Sequence, residues 1–571
     1  MSYFLKKTTP SKKGEYLQIY QGYYIPKVGN RNKSYKKLGY VSDLKKQGIE
    51  DPIKYFQKEV DALNEKENSV VQIDDYSACK YAGHFLLNAM FNYLNLSKTI
   101  DLMHQTSKIQ YKMSDLIRNL VFAQVVSPGS KLKAFEKVLP SLYKSVSFSY
   151  DQILDGIRLI GINYEKYIEL LNFGIQKNWN RKTKNVFFDC TNYYFEIDLE
   201  KDDRKKGPSK ENRHDPIVSQ ALLLDSEQIP IGMSMFPGNE SEKPQLRKMI
   251  EETKERFDIK GRIVQVADKG LNCARNIYAA VKEANDGYIF SRSVHGKNLN
   301  EQEKKWIKLE NDENIWVNVT NDKEELLFKY KACIDDFEYN FIDEITGEKI
   351  SFKVKEKRVV TYNPSFARKQ IKQIRKEIEK AREKISIKSL ARDEFGDCAK
   401  YVNFIAVDKN GKQIKIAKDM NEDKIKEDLS LAGFNLLVTS EIDLDPKEIY
   451  RIYHGLWRIE ESFKIMKSYL EARPAYLQTK ESIYGHFLVC YYGLTILRLL
   501  ELKIFNDELP VNQIIDFIRD YKVTAINEGC YINNATNSRA FKFIKEKLSL
   551  SKLGNLNLKT KDLENLFNYD F

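Results

Sequence analysis

The feature that most constrains the fold is a change of sequence pattern at residue 185. From there on, short apolar segments typical of buried strands appear among segments whose apolar residues recur every three or four positions. Three predicted strands follow one another, and helices and strands alternate afterwards, which predicts an α/β fold with a mixed sheet. The predicted strands are Val186–Phe188, Ile217–Leu224, Ile229–Phe236, Ile263–Ala267 and Tyr288–Phe290, and the predicted helices are Lys243–Phe257 and Leu271–Ala284.

Before residue 185 the sequence predicts two further parts. Residues 1–75 contain two tyrosine-rich strand patterns separated by a turn-forming segment, Val28 to Asn32, and then a helix from Pro52 to Asn64. Residues 76–180 have mostly helical apolar spacing, which predicts a helical domain that we expect to bind DNA. Several domains suit 571 residues, because one core stops growing at roughly 250–300 residues.

After the α/β segment, the pattern changes again and then returns. A β-rich stretch includes a predicted hairpin turn at Thr346–Lys349 and continues into a charged helix with apolar positions from Ile371 to Ile385. A strand at Phe434–Thr439 and one long helix from Pro446 to Leu470 resume the α/β pattern. We therefore predict a catalytic core made of residues 181–292 and 434–505, an insertion at 293–433, and a C-terminal helical region at 506–571.

The charge distribution favours a nucleic-acid partner. The formal net charge is +12, and the first 40 residues hold nine basic side chains against one acidic residue, Glu15, with tyrosines between them. Such cations displace the counterions of a phosphate backbone, and aromatic faces can stack on bases. A solvated basic surface is the alternative explanation. The nine basic residues are Lys6, Lys7, Lys12, Lys13, Lys27, Arg31, Lys33, Lys36 and Lys37.

Cysteine usage and hydropathy exclude several other classes of protein. The seven cysteines are scattered without a C-x-x-C pair, and the six histidines form no ligand-spaced cluster, so neither a disulfide scaffold nor a zinc site is predicted. No apolar stretch at the N-terminus suits a signal peptide, and the most apolar segment, Phe487–Leu500, is too short to cross a bilayer. We expect a cytoplasmic protein with no membrane partner and a buried helix at that segment.

Two aspartates stand where a site at the edge of a sheet would form. Asp189 follows the apolar strand Val186–Phe188, and Asp268 follows Ile263–Ala267. Ligands in α/β sheets bind outside the carboxyl ends of the strands, although a turn or capping role is the alternative for either residue.

The predicted helix after Pro446 supplies a third carboxylate. Its apolar residues alternate steps of three and four and define a buried face, and Tyr453, Glu460 and Lys467, seven residues apart, form a line beside that face. Trp457 on the same helix is interpreted as a packed core residue. A solvated Glu and Lys pair is the alternative reading of this line. With Asp189 and Asp268, Glu460 completes an all-oxygen ligand set of the kind that Mg²⁺ or Mn²⁺ prefers.

These residues match known motifs, and the sequence resembles the DDE transposases of bacterial insertion sequences, in the subgroup with a Tyr-Arg-Glu-Lys signature. The resemblance covers about residues 1–505. It rests on Asp189-Cys190-Thr191, on Asp268-Lys269-Gly270, on Phe236-Pro237-Gly238-Asn239-Glu240-Ser241, and on Tyr453-His454-Gly455-Leu456-Trp457-Arg458-Ile459-Glu460 with Lys467.

One position departs from the signature. The expected Arg, three residues after the Tyr, is Leu456. Arg458 lies about 200° round a helix from Leu456 and is therefore no simple replacement. A branch of the family with Leu-Trp-Arg-Ile-Glu-Glu-Ser-Phe at this point is the better match.

The resemblance implies a ribonuclease H-like core with a β-rich insertion between the second and third acids. It implies that Asp189, Asp268 and Glu460 are catalytic and hold two Mg²⁺ ions, with Mn²⁺ able to substitute, and that Tyr453 and Lys467 contact DNA. The implied reaction is cleavage at the ends of an insertion sequence and transfer of the 3′-OH ends into target DNA. The implied partners are transposon-end and target DNA, bound by a homodimer or larger assembly near the bacterial nucleoid.

Two alternatives come from other functional classes. The first is a transposase-derived DNA-binding protein that no longer cuts DNA, against which the three intact acids argue. The second is a ribonuclease H-fold nuclease that hydrolyses DNA without joining strands. The long insertion and the basic N-terminus favour recognition of DNA ends, and a strand-transfer assay separates the two.

Overall fold

The computed structural model describes two compact units. One comprises Met1–Cys79 with Thr524–Ile532, and the other Lys80–Val523 with Asn533–Phe571. The described residues are 2–11, 14–25, 29–68, 79–107, 109–211, 213–257, 259, 261–295, 299, 301–308, 315–386, 392–407, 415–527 and 529–571.

The described strands of the first unit include a three-stranded antiparallel sheet in the order β1-β2-β3. Leu17, Leu44 and Phe56 form a small core beside it. The elements are β1 (Ser2–Ser11), β2 (Gly14–Ile25), β3 (Gly29–Tyr40), α1 (Val41–Lys46) and α2 (Pro52–Asn68).

The predicted hairpin differs from this sheet in two ways. Strand β1 was not predicted, and the turn predicted at Val28 to Asn32 is wrong. Gly29 to Asn32 belong to β3, where they pair with Ile25 to Gly22, and the polar residues of β3 from Arg31 to Lys37 are exposed. Val28, like the basic residues Lys12, Lys13 and Lys27, lies outside the described residues.

The start of the second unit is mostly helical, in agreement with the apolar spacing. Almost every residue of α5 is buried, and α5 and α8 pack against a later helix, α17, described below. The elements are β4 (Cys79–Tyr81), α3 (Phe85–Tyr93), α4 (Leu96–Met103), α5 (Met113–Val126), α6 (Lys131–Lys133), a π turn (Ala134–Val138), α7 (Leu139–Ser141), α8 (Tyr150–Ile162) and α9 (Tyr164–Asn178).

The centre of this unit is a mixed sheet. Strands β5, β6 and β7 form an antiparallel meander, after which β8 pairs parallel to β5 and β9 pairs parallel to β8. Every residue of β6 and β8 is buried, as expected for strands covered on both faces. The elements are β5 (Asn185–Tyr194), β6 (Ile217–Leu224), β7 (Pro230–Pro237), α10 (Glu242–Arg256), β8 (Val264–Ala267), α11 (Ala274–Tyr278), a π turn (Ala279–Glu283) and β9 (Gly287–Arg292).

Strands from the predicted insertion extend the same sheet. The order of its described strands is β10-β11-β12-β15-β9-β8-β5-β6-β7. The predicted hairpin turn is confirmed between β11 and β12, where Gly347 has a φ of 72° that favours glycine. The elements are α12 (Glu301–Lys308), β10 (Val317–Thr320), β11 (Leu326–Ile342), β12 (Lys349–Tyr362), α13 (Pro364–Ile385), a 3₁₀ segment (Arg392–Tyr401), β13 (Val402–Val407), β14 (Lys415–Met420), α14 (Glu422–Ser430) and β15 (Phe434–Thr439).

The single helix predicted from Pro446 to Leu470 is wrong, because the helix is interrupted at Gly455 and Leu456. The buried helix predicted over Phe487–Leu500 lies within α17 and the turn after it. The elements are α15 (Pro446–His454), α16 (Trp457–Lys464), a π turn (Ile465–Tyr469), α17 (Lys480–Leu499), a π turn (Leu500–Ile504), α18 (Val511–Asp520), β16 (Lys522–Asn527), β17 (Cys530–Asn533), α19 (Arg539–Lys547), a 3₁₀ turn (Ser551–Gly554), β18 (Asn557–Lys559) and α20 (Thr560–Phe567).

The observed architecture is thus mixed α/β, with one large mixed sheet and many helices. A search of the described part of the chain finds no helix with both the length and the apolar character needed to cross a membrane.

Candidate active site

The two aspartates lie side by side on neighbouring parallel strands. Phe188 of β5 pairs with Ala267 of β8. Asp189 and Asp268 directly follow these two paired residues. The expectation that Asp189 ends its strand is wrong, because β5 continues to Tyr194 by pairing with β6. The parallel pairing with β8 does end before Asp189, and this opening of the sheet places both carboxylates at one edge.

The Asp189 side chain is partly buried within β5. The backbone N–H of Cys190 donates to its Oδ1 at 2.8 Å. Burial raises the pKa of Asp189 to about 6, the charges of Glu242 and Asp268 act in the same direction, and nearby Lys210 partly opposes them. The fold therefore disfavours a lone negative charge at this position.

The pKa of Asp268 is shifted in the opposite direction to that of Asp189. Burial acts to raise its pKa, but hydrogen bonds from Ser291, the backbone of Lys269 and Tyr453 outweigh burial and hold the pKa below its usual value. Ser291 Oγ donates to Oδ1 at 2.7 Å, and the Tyr453 hydroxyl donates to the same oxygen at 3.0 Å. Asp268 is thus kept ionised and oriented by two side chains.

Glu460 is an exposed residue of α16 and lies near Asp268. Partial burial of the carboxyl group and the charge of Asp268 raise its pKa above the usual value. Burial and the charges of Asp268 and Glu460 also raise the pKa of Tyr453. Asp268 thus interacts electrostatically with Asp189, Glu460 and Tyr453.

A glycine allows α15 and α16 to approach the sheet. A Cβ at Gly455 would lie 2.7 Å from a ring carbon of Phe187 on β5, so a side chain there would push the helix away. Leu456 and Ile459 are buried on the same side, as the apolar stripe predicted. The expectation that Trp457 is packed is wrong, since it is 49% exposed with the Arg458 guanidinium 4.1 Å from its ring centre.

Arg458 belongs to a buried ion-pair network that sequence reasoning did not find. It pairs with Glu461 at 3.1 Å and with Asp507 at 2.5 Å, and Arg498 pairs with Glu461 at 2.9 Å and with Glu501 at 2.6 Å. Arg498 and Glu501 are almost completely buried. The network ties the face of α16 opposite Glu460 to α17, and Arg458 points away from the carboxylates.

Lys467 lies on the π turn after α16. Its ammonium is 3.4 Å from Glu211 and 5.2 Å from the ring centre of Tyr193. The predicted line of Tyr453, Glu460 and Lys467 is therefore divided among α15, α16 and this π turn.

Two residues near the carboxylates were missed. Lys210 contacts the carbonyl oxygen of Cys190 and pairs with Glu242 at 3.1 Å, and its charge acts on Asp189. It belongs to a basic segment visible in the sequence, but nothing there shows which lysine turns inward. Ser291, at the end of β9, carries no sequence signal.

The donor chemistry fits a divalent cation. Among the described residues, no three His, Cys, Asp or Glu side chains lie close enough together to hold a metal ion as they stand. Asp189, Asp268 and Glu460 nevertheless provide only oxygen donors, and the charge of Asp268 raises the pKa of both other acids. A hard cation among them would relieve this repulsion.

The family model for the transposase DDE domain matches residues 187–491, which is more than half of the chain and includes the three acids. The protein therefore belongs to the DDE transposase family. Comparison with curated proteins gives no significant match. Among solved structures, the chain is similar to piggyBac transposase in its synaptic complex with hairpin DNA, with 9% identity over 86% of this chain and 85% of that one and a TM-score of 0.32.

Proposed function

We propose that this transposase cleaves DNA at the ends of an insertion sequence and transfers the 3′-OH ends into target DNA, with Asp189, Asp268 and Glu460 as its catalytic residues. The observation that carries the proposal is the placement of Asp189 and Asp268 at adjacent positions of parallel strands, with Glu460 acting on Asp268 from α16. The strand order supports a ribonuclease H-like core, since a three-stranded meander is followed by two parallel strands on its far side.

The metal ligands in this proposal are the same three acids. They would hold two Mg²⁺ ions, for which Mn²⁺ can substitute because both accept oxygen donors. Ions bound there supply activation of the attacking oxygen and stabilisation of the leaving oxygen in an in-line displacement at phosphorus.

The protein's own residues prepare this site. Ser291 and Tyr453 orient the Asp268 carboxylate through its Oδ1. The positive charge of Lys210 offsets part of the burial cost of ionised Asp189. The buried network of Arg458 and Arg498 fixes α16 and so limits the movement of Glu460.

The chemistry is two phosphoryl transfers in sequence. Water attacks the phosphorus at the element end, the P–O bond to the 3′ oxygen breaks, and a free 3′-OH results. That 3′-OH then attacks a phosphorus of target DNA, the P–O bond from this phosphorus to the target's own 3′ oxygen breaks, and the strands are joined with release of a 3′-OH on the target. No covalent protein intermediate is required, and Tyr453 and Lys467 contact DNA near the cleaved strand in this scheme.

DNA is the proposed partner in both steps. Transposon ends would bind the basic strands β1–β3 and the helical region, with the phosphate to be cleaved and then the target DNA at the carboxylates, within a homodimer or larger assembly on the bacterial nucleoid. Two exposed lysines of the first sheet, Lys7 and Lys37, support its contact with a phosphate backbone.

The test uses the DNA that flanks the gene. Full-length protein is incubated with labelled duplexes that end in the flanking inverted repeats, together with a supercoiled target plasmid and Mg²⁺. Nicking at the repeat boundary and joined products support the proposal. Cleavage without joined products identifies a nuclease, and tight binding without cleavage identifies a DNA-binding protein that has lost its activity.

A further inference from the structure

Two basic residues after Glu460 share a single acidic partner. Lys467 Nζ lies 3.4 Å from Glu211 Oε1, and Arg473 Nη2 lies 2.9 Å from Glu211 Oε2. Each oxygen of the carboxylate therefore engages a different cation. The three side chains are only 20–30% exposed, so the contact is partly shielded from solvent.

Aromatic residues at the end of β5 support the two cations. The Arg473 guanidinium carbon lies 4.0 Å from the ring centre of Tyr194, and Lys467 Nζ lies 5.2 Å from that of Tyr193. Arg213 also stacks on Tyr194, at 3.8 Å. Cations held over aromatic rings are oriented by the ring and lose less freedom when they bind an anion. Strand β5 carries Asp189 as well as Tyr193 and Tyr194, so the two cations contact the same strand that holds the candidate catalytic residue.

The positive charge in this region exceeds what Glu211 neutralises. Burial lowers the pKa of Lys467, Glu211 opposes this effect, and the charges of Arg473 and Lys210 lower the pKa further. Among the described residues, Arg473 Nη1 is buried and has no hydrogen-bond partner. A planar guanidinium with one engaged nitrogen and one free buried nitrogen suits an anion with several oxygens.

Of the two arginines that follow Trp457 in this region, Arg458 and Arg473, only Arg473 lies beside Lys467 among the described contacts. Leu456, at the signature position, is buried, and Arg458 is engaged by Glu461 and Asp507. Arg473 instead shares its acidic partner with the signature lysine, Lys467.

We propose that Lys467 and Arg473 form a binding site for a DNA backbone phosphate, and that Glu211 occupies this site as an internal competitor when DNA is absent. The proposal rests on the function proposed above and adds to it a phosphate-binding residue and a self-inhibiting contact. Carboxylate and phosphate present similar paired oxygens to a guanidinium, so one can replace the other without rearranging Arg473. Glu211 lies in the segment between β5 and β6, and its side chain must leave Lys467 and Arg473 when a phosphate binds there.

The proposal predicts effects of opposite sign for the two partners. Glu211→Gln removes the competing charge but keeps the size of the side chain, so DNA binding becomes several-fold tighter. Arg473→Ala removes a phosphate contact, so binding becomes several-fold weaker and the slope of log K against log salt falls by about 1. Arg473→Lys keeps the charge but not the planar guanidinium, so its DNA affinity should lie between that of Arg473→Ala and that of the unchanged protein.

The experiment measures binding of a fluorescent duplex of arbitrary sequence to full-length protein in EDTA over a salt series. Arg451→Ala is the matched control, because Arg451 is an exposed arginine of α15 that pairs with Glu448. The double variant Glu211→Gln/Arg473→Ala tests coupling, because the gain from Glu211→Gln shrinks once Arg473 is absent. Thermal unfolding of each variant identifies loss of folding, and Arg473→Lys is then the variant compared.

Unchanged or weaker binding by Glu211→Gln overturns the competitor role. Binding by Arg473→Ala and Arg473→Lys that equals binding by Arg451→Ala overturns the phosphate site. Cleavage of the flanking inverted repeats by the unchanged protein is measured in parallel. If the repeats are cut while these variants bind normally, this inference alone fails. If the variants behave as predicted but nothing is cut, the proposed function fails and the phosphate site stands.

Discussion

The Tyr453 hydroxyl donates a hydrogen bond to Asp268 Oδ1 at 3.0 Å, across 185 residues of sequence. The contact joins α15, the helix that precedes the one carrying Glu460, to Asp268 at the end of β8. It gives Tyr453 a role beside the carboxylate in addition to the DNA contact that we propose for it. A side chain that orients a ligating carboxylate acts on the metal indirectly.

Removing this hydroxyl should therefore weaken metal binding. Tyr453→Phe is expected to reduce Mn²⁺ affinity by about 10–100-fold, the usual cost of losing a residue that orients a metal ligand. Electron paramagnetic resonance titration of Mn²⁺ measures this directly, with Tyr476→Phe, at an exposed tyrosine, as the control. Unchanged Mn²⁺ affinity together with weaker DNA binding would show that Tyr453 acts on DNA alone.

The three carboxylates themselves should be indispensable for cleavage. Asp189→Asn, Asp268→Asn and Glu460→Gln each remove a proposed metal ligand and almost no volume. We expect each to abolish Mg²⁺-dependent cleavage and to leave DNA binding nearly unchanged, as measured on the same end duplex. Asp443→Asn, at an exposed position, is the control. Normal cleavage by any of the three would remove that residue from the site.

Asp189 should also make stability depend on pH. Burial raises its pKa from 3.8 to about 6, so the folded state favours the protonated form. That contribution to stability is complete below the unfolded pKa and is lost as the pH rises through about 6. Without metal, Asp189→Asn should be as stable as the unchanged protein at a pH near the pKa of Asp189 in the unfolded chain. Above the pKa of Asp189 in the folded protein, the variant should be the more stable one, by at most roughly 3 kcal/mol.

Denaturant unfolding in EDTA over this pH range measures the effect. Added Mg²⁺ should stabilise the unchanged protein near neutral pH and close the gap, because the ion neutralises the buried charge and binds only the folded state. Equal stability of the two proteins at every pH would show that the Asp189 carboxylate is solvated in the folded protein.

The basic sheet β1–β3 is expected to contribute to DNA affinity. Deleting residues 1–40 should weaken end binding and flatten its salt dependence, because fewer counterions are released. Lys7→Gln/Lys37→Gln tests the same point with the sheet intact, since both lysines are exposed. We expect this double variant to lower the salt slope by up to about 2. An unchanged slope in both proteins would place the sheet away from DNA.

Sequence patterns predicted the central strands well because these strands are buried on both faces. The prediction for β6, Ile217–Leu224, agrees with the structure at both ends, and β15 agrees as well. Strand β5 was predicted too short, because polar residues after Asp189 remain in the strand through pairing with β6. Local hydrophobicity ends at Phe188, whereas the ladder of hydrogen bonds does not.

The helix after Pro446 shows a different limit of the sequence. A regular apolar spacing predicted one helix, whereas the structure has two helices that meet at Gly455, where the chain packs closely against Phe187, a residue far away in the chain. The three candidate acids could be proposed from the sequence because they occur in recognisable motifs. Ser291, Lys210 and the partner of Lys467 could not, since their positions depend on how distant segments pack.

The buried ion pairs behind Glu460 provide the last prediction. Arg498 is fully buried and pairs with Glu501 at 2.6 Å and with Glu461 at 2.9 Å. Arg498→Met should destabilise the protein by about 3–5 kcal/mol, because Glu501 is left charged and buried without its main partner.

Pairing this change with Glu501→Leu removes both charges and should recover part of the loss, whereas Arg451→Ala, on the exposed surface of α15, should change stability by less than about 0.5 kcal/mol. Denaturant unfolding measures all three proteins, and cleavage is followed under conditions where each is folded. If the network positions Glu460, the double variant should cleave more slowly than the unchanged protein even where it is fully folded, while metal-free DNA binding stays the same. Full cleavage by the folded double variant would show that the network stabilises the protein but does not position Glu460.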